Sequence, residues 1–254
     1  MTAIQRLLVA MMALMIAAGA NARSSAPPGA AVTIVLVHGA LIDGSSWRGV
    51  YDVLTRDGYR VSIVQEPLTG LDEDVAATRR VLDQQDGPVV LVGHSYGGSI
   101  ITVAGSDPKV KALVYVAALQ PDAGETSGEV APPKPPASND LKPTQDGFVF
   151  LDPAKFAADF GADLPKALAE FMAHSQMPVS GAAFDTRLTA AAWHDKPSYA
   201  IIATEDRALD PGIARRMARR AGSKVTEIRA SHAVHISHAL AVARVIETAA
   251  RAVR

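Results

Sequence analysis

The stretch L-V-G-H-S-Y-G-G, residues 91–98, contains the pattern G-x-S-x-G with Ser95 at its centre. The pattern directly follows an apolar run, residues 88–92, that predicts a buried strand, and directly precedes a helical segment at about 96–104. A sharp strand-to-helix turn holds such a serine in strained geometry, and the flanking glycines give the backbone room. The start of the helix adds N–H groups and partial positive charge where an anion would form. The stretch therefore predicts that Ser95 is a nucleophile.

Strands and helices alternate along most of the chain around this turn. Apolar, β-branched runs predict further strands, and segments with helical spacing follow most of them. The predicted strands are 32–37, 59–64, 110–117, 198–203 and 224–228, and the helices are 47–56, 75–82, 211–221 and 240–253, the last capped by Ser237. Repeated βα units predict an α/β fold in which helices cover both faces of a doubly wound, mainly parallel sheet.

One segment interrupts this alternation. Residues 119–196 predict a small, mostly helical cap insertion that divides the core into residues 31–118 and 197–254. Within it, residues 121–143 are rich in Pro, Gly, Ser and Asp and predict a surface linker, with a polyproline ligand motif as the alternative. Helices are predicted at 152–160 and 164–176, with Asp152 capping the first of them before Pro153.

The N-terminus has the design of a signal peptide, predicted for residues 1–22. Arg6 supplies a positive charge, residues 7–18 are apolar, and Ala20-Asn21-Ala22 offers small residues before a cleavage site. A membrane anchor is the alternative, but the apolar run is short for one. Residues 23–30 are then a flexible lead-in. We expect an exported protein, periplasmic or secreted after cleavage near Ala22, without stable membrane association once the signal is removed.

Composition narrows the classes of function. The 254 residues carry a formal net charge of −1, so no basic surface predicts a nucleic-acid partner. The chain has no cysteine, which excludes disulfides, thiolate catalysis and thiol ligands for a metal. Nothing in the sequence predicts a metal or an organic cofactor, and the oligomeric state stays open. The expected partner is a small molecule.

A serine nucleophile needs a base, and the base needs an orienting acid. In a doubly wound sheet both groups follow the C-terminal ends of later strands. Asp206 lies just beyond the strand at 198–203 and is the predicted acid, with Glu205, Asp210 and Asp122 as alternatives. His232 is the first histidine beyond the last strand and is the predicted base. The order Ser, Asp, His is the one expected for this type of turn.

The stretch A-S-H-A-V-H-I-S-H, residues 230–238, places three histidines at intervals of three. Shared metal binding is disfavoured, because ligands must converge on one point and an extended loop sends alternate side chains to opposite sides. The predicted cap at Ser237 also argues against one continuous helix. We therefore expect His235 and His238 to be structural or to form a rim of the site.

Two backbone N–H groups should form an oxyanion hole. Tyr96 follows the nucleophile and supplies one of them. The loop after the first strand supplies the other, with Ala40 as the expected donor and Gly39 allowing close approach to the substrate. His38 and His94 flank these turns and are predicted to be structural.

With these residues, the chain resembles the α/β-hydrolases, in particular the small-capped group of plant methyl esterases, hydroxynitrile lyases and bacterial relatives. H-G-A-L-I-D-G-S-S-W, G-H-S-Y-G-G, A-T-E-D-R and S-H-A-V-H-I-S-H stand where that family has its oxyanion loop, nucleophile, acid and base. The resemblance covers nearly all of the chain beyond the signal. It implies a triad of Ser95, Asp206 and His232. Because few residues precede the first strand, the family's initial hairpin is expected to be absent, which leaves about six strands.

The resemblance implies hydrolysis of a small or medium carboxylic ester through an acyl-enzyme. Similar haloalkane dehalogenases and epoxide hydrolases use an aspartate nucleophile, and Ser95 argues against both. Similar hydroxynitrile lyases carry a lysine directly after the catalytic histidine, where this chain has Ala233. Lyase chemistry, cleavage of a C–C or amide bond, and a non-catalytic ligand-binding receptor remain the alternatives.

The cap is expected to form much of the substrate pocket. Its large apolar side chains are the candidates for lining it, and a residue of the oxyanion loop is expected to reach in. Packing in the protein core is the alternative for each of them. The candidates are Trp47, Phe148, Phe150, Phe160, Phe171, Met172, Met177 and Trp193.

Overall fold

The computed structural model describes residues 32–132 and 137–253. The predicted signal peptide and lead-in lie outside these residues. The described chain contains a six-stranded sheet in which all strand pairs are parallel. The six strands are β1 (Thr33–Val37), β2 (Arg60–Ile63), β3 (Val89–His94), β4 (Val110–Val116), β8 (Ser198–Ala203) and β9 (Lys224–Ile228). Their order across the sheet is β2-β1-β3-β4-β8-β9. The predicted parallel α/β sheet is confirmed.

Helices cover both faces of this sheet, as the repeated βα units predict. One face packs against α1 and α10, and the other against α2, α3 and α8. Strands β1, β3 and β8 are buried along their whole length, which explains their continuous apolar runs. The helices are α1 (Arg48–Arg56), α2 (Leu71–Asp83), α3 (Gly97–Ala104), α8 (Pro211–Arg220) and α10 (Ala239–Ala252).

The segment between β4 and β8 combines short helices with a second, antiparallel sheet. Asp152 accepts a hydrogen bond from the Ala154 N–H at the start of α5, as predicted for an N-cap. The sheet, in the order β5-β6-β7, was not predicted, because strands of two to four residues are too short to show periodicity. The elements are α4 (Ser127–Val130), β5 (Leu141–Pro143), β6 (Phe148–Leu151), α5 (Pro153–Asp159), α6 (Lys166–His174), β7 (Val179–Ser180) and α7 (Ala182–Asp185).

Beyond shifts of one or two residues at the ends of elements, two helix starts differ from the sequence prediction. Helix α2 begins at Leu71, four residues before the predicted start. The prediction missed this first turn because its residues are mostly acidic and so show no apolar spacing. Ser237 does not cap the last helix. It ends a separate turn, α9 (Val234–Ser237), and its hydroxyl lies within hydrogen-bond distance of the Ala233 carbonyl and the His238 ring. In the described residues no helix is long and apolar enough to span a membrane.

Candidate active site

Four loops meet at the C-terminal edge of the parallel sheet. Ala40 follows β1, Ser95 follows β3, Asp206 follows β8 and His232 follows β9. Parallel strands end at the same edge, so residues far apart in sequence become neighbours there. This edge is the place where ligands bind in open α/β sheets.

The turn at Ser95 is strained and crowded. Ser95 has a φ of 52°, in the left-handed region that a residue with a side chain rarely adopts. A Cβ on Gly93 would lie 2.5 Å from the Gly97 carbonyl oxygen, and a Cβ on Gly97 would lie 2.5 Å from the His38 carbonyl oxygen. Both positions therefore require glycine. The turn is fixed by hydrogen bonds from the Gly98 and Leu119 N–H groups to the Ser95 carbonyl.

A continuous hydrogen-bond chain links the three predicted triad residues. Ser95 Oγ lies 2.8 Å from His232 Nε2, and His232 Nδ1 lies 2.6 Å from Asp206 Oδ2. His232 and Asp206 are buried. If the imidazole is neutral, its Nδ1–H donates to the carboxylate and its Nε2 accepts from the serine hydroxyl, which is the arrangement that a general base requires.

Backbone N–H groups of the turn that follows Asp206 bind the second oxygen of its carboxylate. Asp206 Oδ1 accepts hydrogen bonds from the N–H groups of Ala208 and Leu209, both at 2.8 Å. The three alternatives for the acid have other partners. Glu205 pairs with Arg229, Asp210 accepts from the Ile213 N–H at the start of α8, and Asp122 pairs with His194.

The two predicted oxyanion donors flank Ser95. Ala40 lines the same cavity as Ser95, and Tyr96 directly follows Ser95 before α3 begins. Within the described residues, neither backbone N–H group donates a hydrogen bond, so both are free to meet an anion. A Cβ on Gly39 would lie 2.8 Å from Ser95 Cβ. Gly39 therefore lets the loop after β1 come this close to the serine.

Buried neutral histidines support the site from behind. The His94 ring N–H at Nε2 donates to the His232 carbonyl at 3.0 Å, and His38 Nε2 accepts from the Glu66 N–H at 2.9 Å. The rings of His235 and His94 are tilted by 38° with their centroids 4.0 Å apart, and burial lowers the pKa of His235 to about 3. Burial also holds the pKa values of His38 and His94 below the usual range.

The three evenly spaced histidines do not converge. His235 is fully buried beneath His94, whereas His238 lies near Ser237 and Asp163. Among residues 32–132 and 137–253, no group of three or more histidine or acidic side chains could hold a metal ion.

A buried acidic network lies beside the oxyanion loop. The Tyr96 hydroxyl donates to Asp74 Oδ2 at 2.9 Å, and the Leu68 N–H donates to Asp74 Oδ1 at 2.8 Å. Burial raises the pKa of Asp74 to about 6. It raises the pKa of Glu66 to about 8, and the hydrogen bond from Thr78 offsets only part of that effect. His38 lies 3.8 Å from Glu66, but both groups are neutral at neutral pH because burial opposes either charge.

A cavity of about 300 Å³ opens beside Ser95 and His232. Most of its wall comes from the segment between β4 and β8. The wall is largely apolar and includes Leu119, Ala131, Leu141, Leu151, Phe160 and Phe184, with Ala40 and Leu41 from the oxyanion loop. Its polar members besides Ser95 and His232 are Ser127, Asp159 and Asp185. A pocket of this size suits a small, partly apolar ligand.

Of the predicted pocket residues, only Phe160 lies on this cavity, with its ring 5.0 Å from that of His232. The structure places the others elsewhere. Trp47 is buried against His94 and His235, and the Trp193 indole N–H donates to the Pro121 carbonyl. Phe171 and Met172 line a separate groove on α6 of about 280 Å³. The remaining members, Phe148, Phe150 and Met177, are not among the lining residues of the cavity beside Ser95.

Sequence reasoning also missed residues that do line the cavity. Ser127, Asp159 and Phe184 come from three separate short helices of the insertion. No motif marks them. Asp159 is buried only through the folding of the insertion, so nothing in the sequence marks its position.

The parallel sheet, the strained serine turn and the Ser95–His232–Asp206 chain together define an α/β hydrolase. A model of the alpha/beta hydrolase family matches residues 34–245, and the chain belongs to this family.

Relatives and solved structures agree with this assignment. An alpha/beta hydrolase of Aspergillus novofumigatus, nvfD, is 26% identical over 241 residues, which cover 85% of this chain and 96% of the relative. A carbendazim hydrolyzing esterase of a Nocardioides species is 33% identical over 106 residues, 36% of this chain and 44% of the esterase. A solved pyrethroid hydrolase from Sphingobium faniae superposes with a TM-score of 0.73 at 25% identity, covering 87% of this chain and 98% of the hydrolase.

Proposed function

We propose that this protein is a serine hydrolase that cleaves small or medium carboxylic esters through an acyl-enzyme. One observation carries the proposal: the hydrogen-bond chain from Ser95 through His232 to Asp206 reaches a largely apolar cavity of about 300 Å³. Similarity to proteins described as a carbendazim hydrolyzing esterase and a pyrethroid hydrolase supports hydrolysis as the reaction.

In the proposed mechanism, His232 takes the proton of Ser95 as the serine oxygen attacks the ester carbonyl. Asp206 keeps the imidazole in the required tautomer and stabilises the imidazolium that forms. The N–H groups of Ala40 and Tyr96 bind the developing oxyanion. The proton on His232 then passes to the leaving alcohol, and a water molecule repeats the cycle on the acyl-enzyme, releasing the acid.

A panel of aryl and alkyl esters of varied chain length tests this function. We expect the wild-type protein to hydrolyse the shorter members and Ser95→Ala to be inactive with all of them. Ser106→Ala, at an exposed serine just beyond α3, serves as the matched control and should keep wild-type rates. Wild-type rates in a folded Ser95→Ala variant would contradict the proposal.

We also propose that the protein is exported, on the basis of the charged, apolar and small-residue regions within residues 1–22. Expression in a bacterial host followed by fractionation tests this. The expected product in the periplasm or medium has a mass that corresponds to a chain beginning at Arg23. A full-length chain retained in the cytoplasm would contradict export.

A further inference from the structure

Tyr96 serves the proposed mechanism through its backbone N–H, whereas its side chain is buried in the protein core. Only 1% of the residue is exposed, and its ring centroid lies 5.2 Å from that of Phe184. The hydroxyl at the end of the ring donates to Asp74 Oδ2 at 2.9 Å. Neither Tyr96 nor Asp74 is among the residues that line the cavity beside Ser95. The buried hydrogen bond therefore does not bind a substrate.

The carboxylate of Asp74 is itself held in place by backbone. Asp74 is fully buried in the first turn of α2, and its Oδ1 accepts from the Leu68 N–H at 2.8 Å. The Leu68 carbonyl in turn accepts from the Ser180 N–H of β7 at 2.8 Å. Two backbone segments thus fix the position of the acceptor that the Tyr96 hydroxyl meets.

The peptide group between Ser95 and Tyr96 carries the proposed oxyanion donor. Its carbonyl end, on Ser95, accepts from the Gly98 N–H at 2.9 Å and from the Leu119 N–H at 3.0 Å. Its N–H end, on Tyr96, donates to no described residue. On that side the backbone is restrained through the Tyr96 side chain, whose far end is bound to Asp74. Because a peptide group is planar, holding both sides of it fixes the direction of the N–H.

We propose that Asp74 is a positioning residue for the oxyanion hole, which by binding the Tyr96 hydroxyl fixes the direction of the Tyr96 N–H. This inference rests on the proposed ester hydrolysis, in which that N–H binds the oxyanion. Donors of an oxyanion hole act because they are aimed in advance at the place where charge develops. A misdirected donor weakens binding of the transition state more than binding of the ester, so it lowers kcat and leaves KM unchanged.

The charge of Asp74 strengthens this contact. Burial raises the pKa of Asp74 to about 6, so the group is ionised at pH 8. A hydrogen bond to a carboxylate is roughly twice as strong as one between neutral groups. The neighbouring acids do not replace it, because Glu66 accepts from the Thr78 hydroxyl and Glu73 is exposed.

Tyr96→Phe removes the hydroxyl and keeps the ring and the backbone N–H. At pH 8 we expect kcat to fall about tenfold with KM unchanged, less than the roughly 10²–10³-fold that follows loss of a donor itself. A trifluoromethyl ketone forms an adduct with the nucleophilic serine that carries an oxyanion. Its affinity should fall by the same factor as kcat.

Tyr115→Phe is the matched control. Tyr115 is another buried tyrosine, and its hydroxyl lies 2.9 Å from the Thr102 hydroxyl in the core, away from the proposed oxyanion donors. This variant loses a buried hydrogen bond of the same kind, so it should lose stability while kcat and ketone affinity stay at wild-type values. An equal fall of kcat in Tyr115→Phe and Tyr96→Phe would overturn the proposal.

Asp74→Asn tests the acceptor. The Leu68 N–H retains the amide oxygen, so the amide NH₂ group faces the Tyr96 hydroxyl and a neutral hydrogen bond replaces the charged one. We expect kcat to fall less than in Tyr96→Phe. The double variant should be as slow as Tyr96→Phe alone, because both substitutions act through one contact. Losses that multiply in the double variant would overturn the proposal.

Failure of this proposal is distinguishable from failure of the proposed function. Ester hydrolysis by the wild-type protein, with wild-type kcat in folded Tyr96→Phe or a loss confined to KM, would overturn the positioning role alone. If Tyr96→Phe does not fold, the kcat, KM and ketone affinity of Asp74→Asn decide in the same way. Hydrolysis of no ester by the wild-type protein would contradict ester hydrolysis itself and, with it, the positioning role.

Discussion

Ser95 shows how much of this site is decided at single residues. Its left-handed backbone, the two glycines that no side chain can replace and the N–H groups around it all follow from one five-residue pattern. That is why the nucleophile turn could be predicted from sequence. Asp206 and His232 could also be predicted, because chain order and strand ends limit the choice. Asp159 could not, since only the folded insertion brings it to the cavity.

Asp206→Asn should abolish most activity without unfolding the protein. The Ala208 and Leu209 N–H groups would retain the amide oxygen, so the amide NH₂ group would face His232. The imidazole Nδ1 must then accept, and Nε2 carries a hydrogen that blocks proton transfer from Ser95. We expect kcat to fall by about 10⁴-fold, as in other triads.

Glu205→Gln is the matched control for that substitution. Glu205 stands next to Asp206 but points its carboxylate to Arg229 at an exposed position. Loss of the Glu205 carboxylate should leave kcat within about twofold of wild type, because an exposed ion pair contributes little free energy. Similar losses in the two variants would argue against Asp206 as the orienting acid.

Gly97→Ala should destabilise the protein, because the added methyl group would meet backbone oxygens of His38 and Val37. Overpacking against fixed backbone typically costs about 1–3 kcal/mol. The change is measured as a lower urea midpoint. Gly181→Ala, where a Cβ would lie 3.4 Å from the Gly147 carbonyl oxygen, is the control and should change stability by about 0.5 kcal/mol or less. Equal midpoints for the two variants would contradict this account of the turn.

The insertion between β4 and β8 holds the loop that carries His232. Asp163, between α5 and α6, accepts hydrogen bonds from the Ser231 N–H at 3.2 Å and from the Ser231 hydroxyl. The Ala233 N–H donates to the Phe160 carbonyl at 3.0 Å. Residues on both sides of His232 are thus fixed by the insertion, which gives it a positioning role as well as a place in the cavity wall.

Asp163→Ala should loosen this loop. We expect faster amide hydrogen exchange across residues 230–238 and a several-fold lower kcat, because His232 would sample positions away from Ser95. Glu170→Ala, at an exposed position on α6, is the control and should leave exchange in the loop unchanged. Unchanged exchange in Asp163→Ala would show that the contact does not restrain the loop.

The elements of the core were more predictable than those of the insertion. Fully buried strands such as β3 give long apolar runs, and the helices beside them have a regular polar face. The sheet β5-β6-β7 and the turn α9 are short and depend on contacts distant in sequence, so no local period identifies them. Ser237 illustrates the limit, since a residue suited to capping a helix instead ends the preceding turn.

Buried titratable groups make the free energy of unfolding of the whole protein depend on pH. Burial raises the pKa of Glu66 to about 8, against 4.5 for an ordinary glutamate. Between about pH 4.5 and pH 8, Glu66 is therefore protonated in the folded protein but ionised in the unfolded chain. The contribution of Glu66 to the free energy of unfolding should fall as pH rises from about 4.5 to 8, by at most roughly 1.4 kcal/mol per pH unit.

Glu66→Gln should remove this contribution, because glutamine is neutral at every pH. The variant should gain stability relative to the wild type as pH increases from 5 to 8, measured by urea unfolding at each pH. Glu170→Gln, at an exposed glutamate, is the control and should give a pH-independent difference. A constant difference between Glu66→Gln and wild type would contradict a protonated Glu66 in the folded protein.

In the proposed mechanism, Ser95 is a nucleophile activated by His232 and Asp206. The most direct test is labelling of the folded protein with a fluorophosphonate, followed by mass spectrometry of its peptides. We expect a single covalent adduct on Ser95, formed far more slowly in Asp206→Asn and at the wild-type rate in Glu205→Gln. No adduct on Ser95 in the folded wild-type protein would contradict a nucleophilic Ser95 and favour a non-catalytic ligand-binding role.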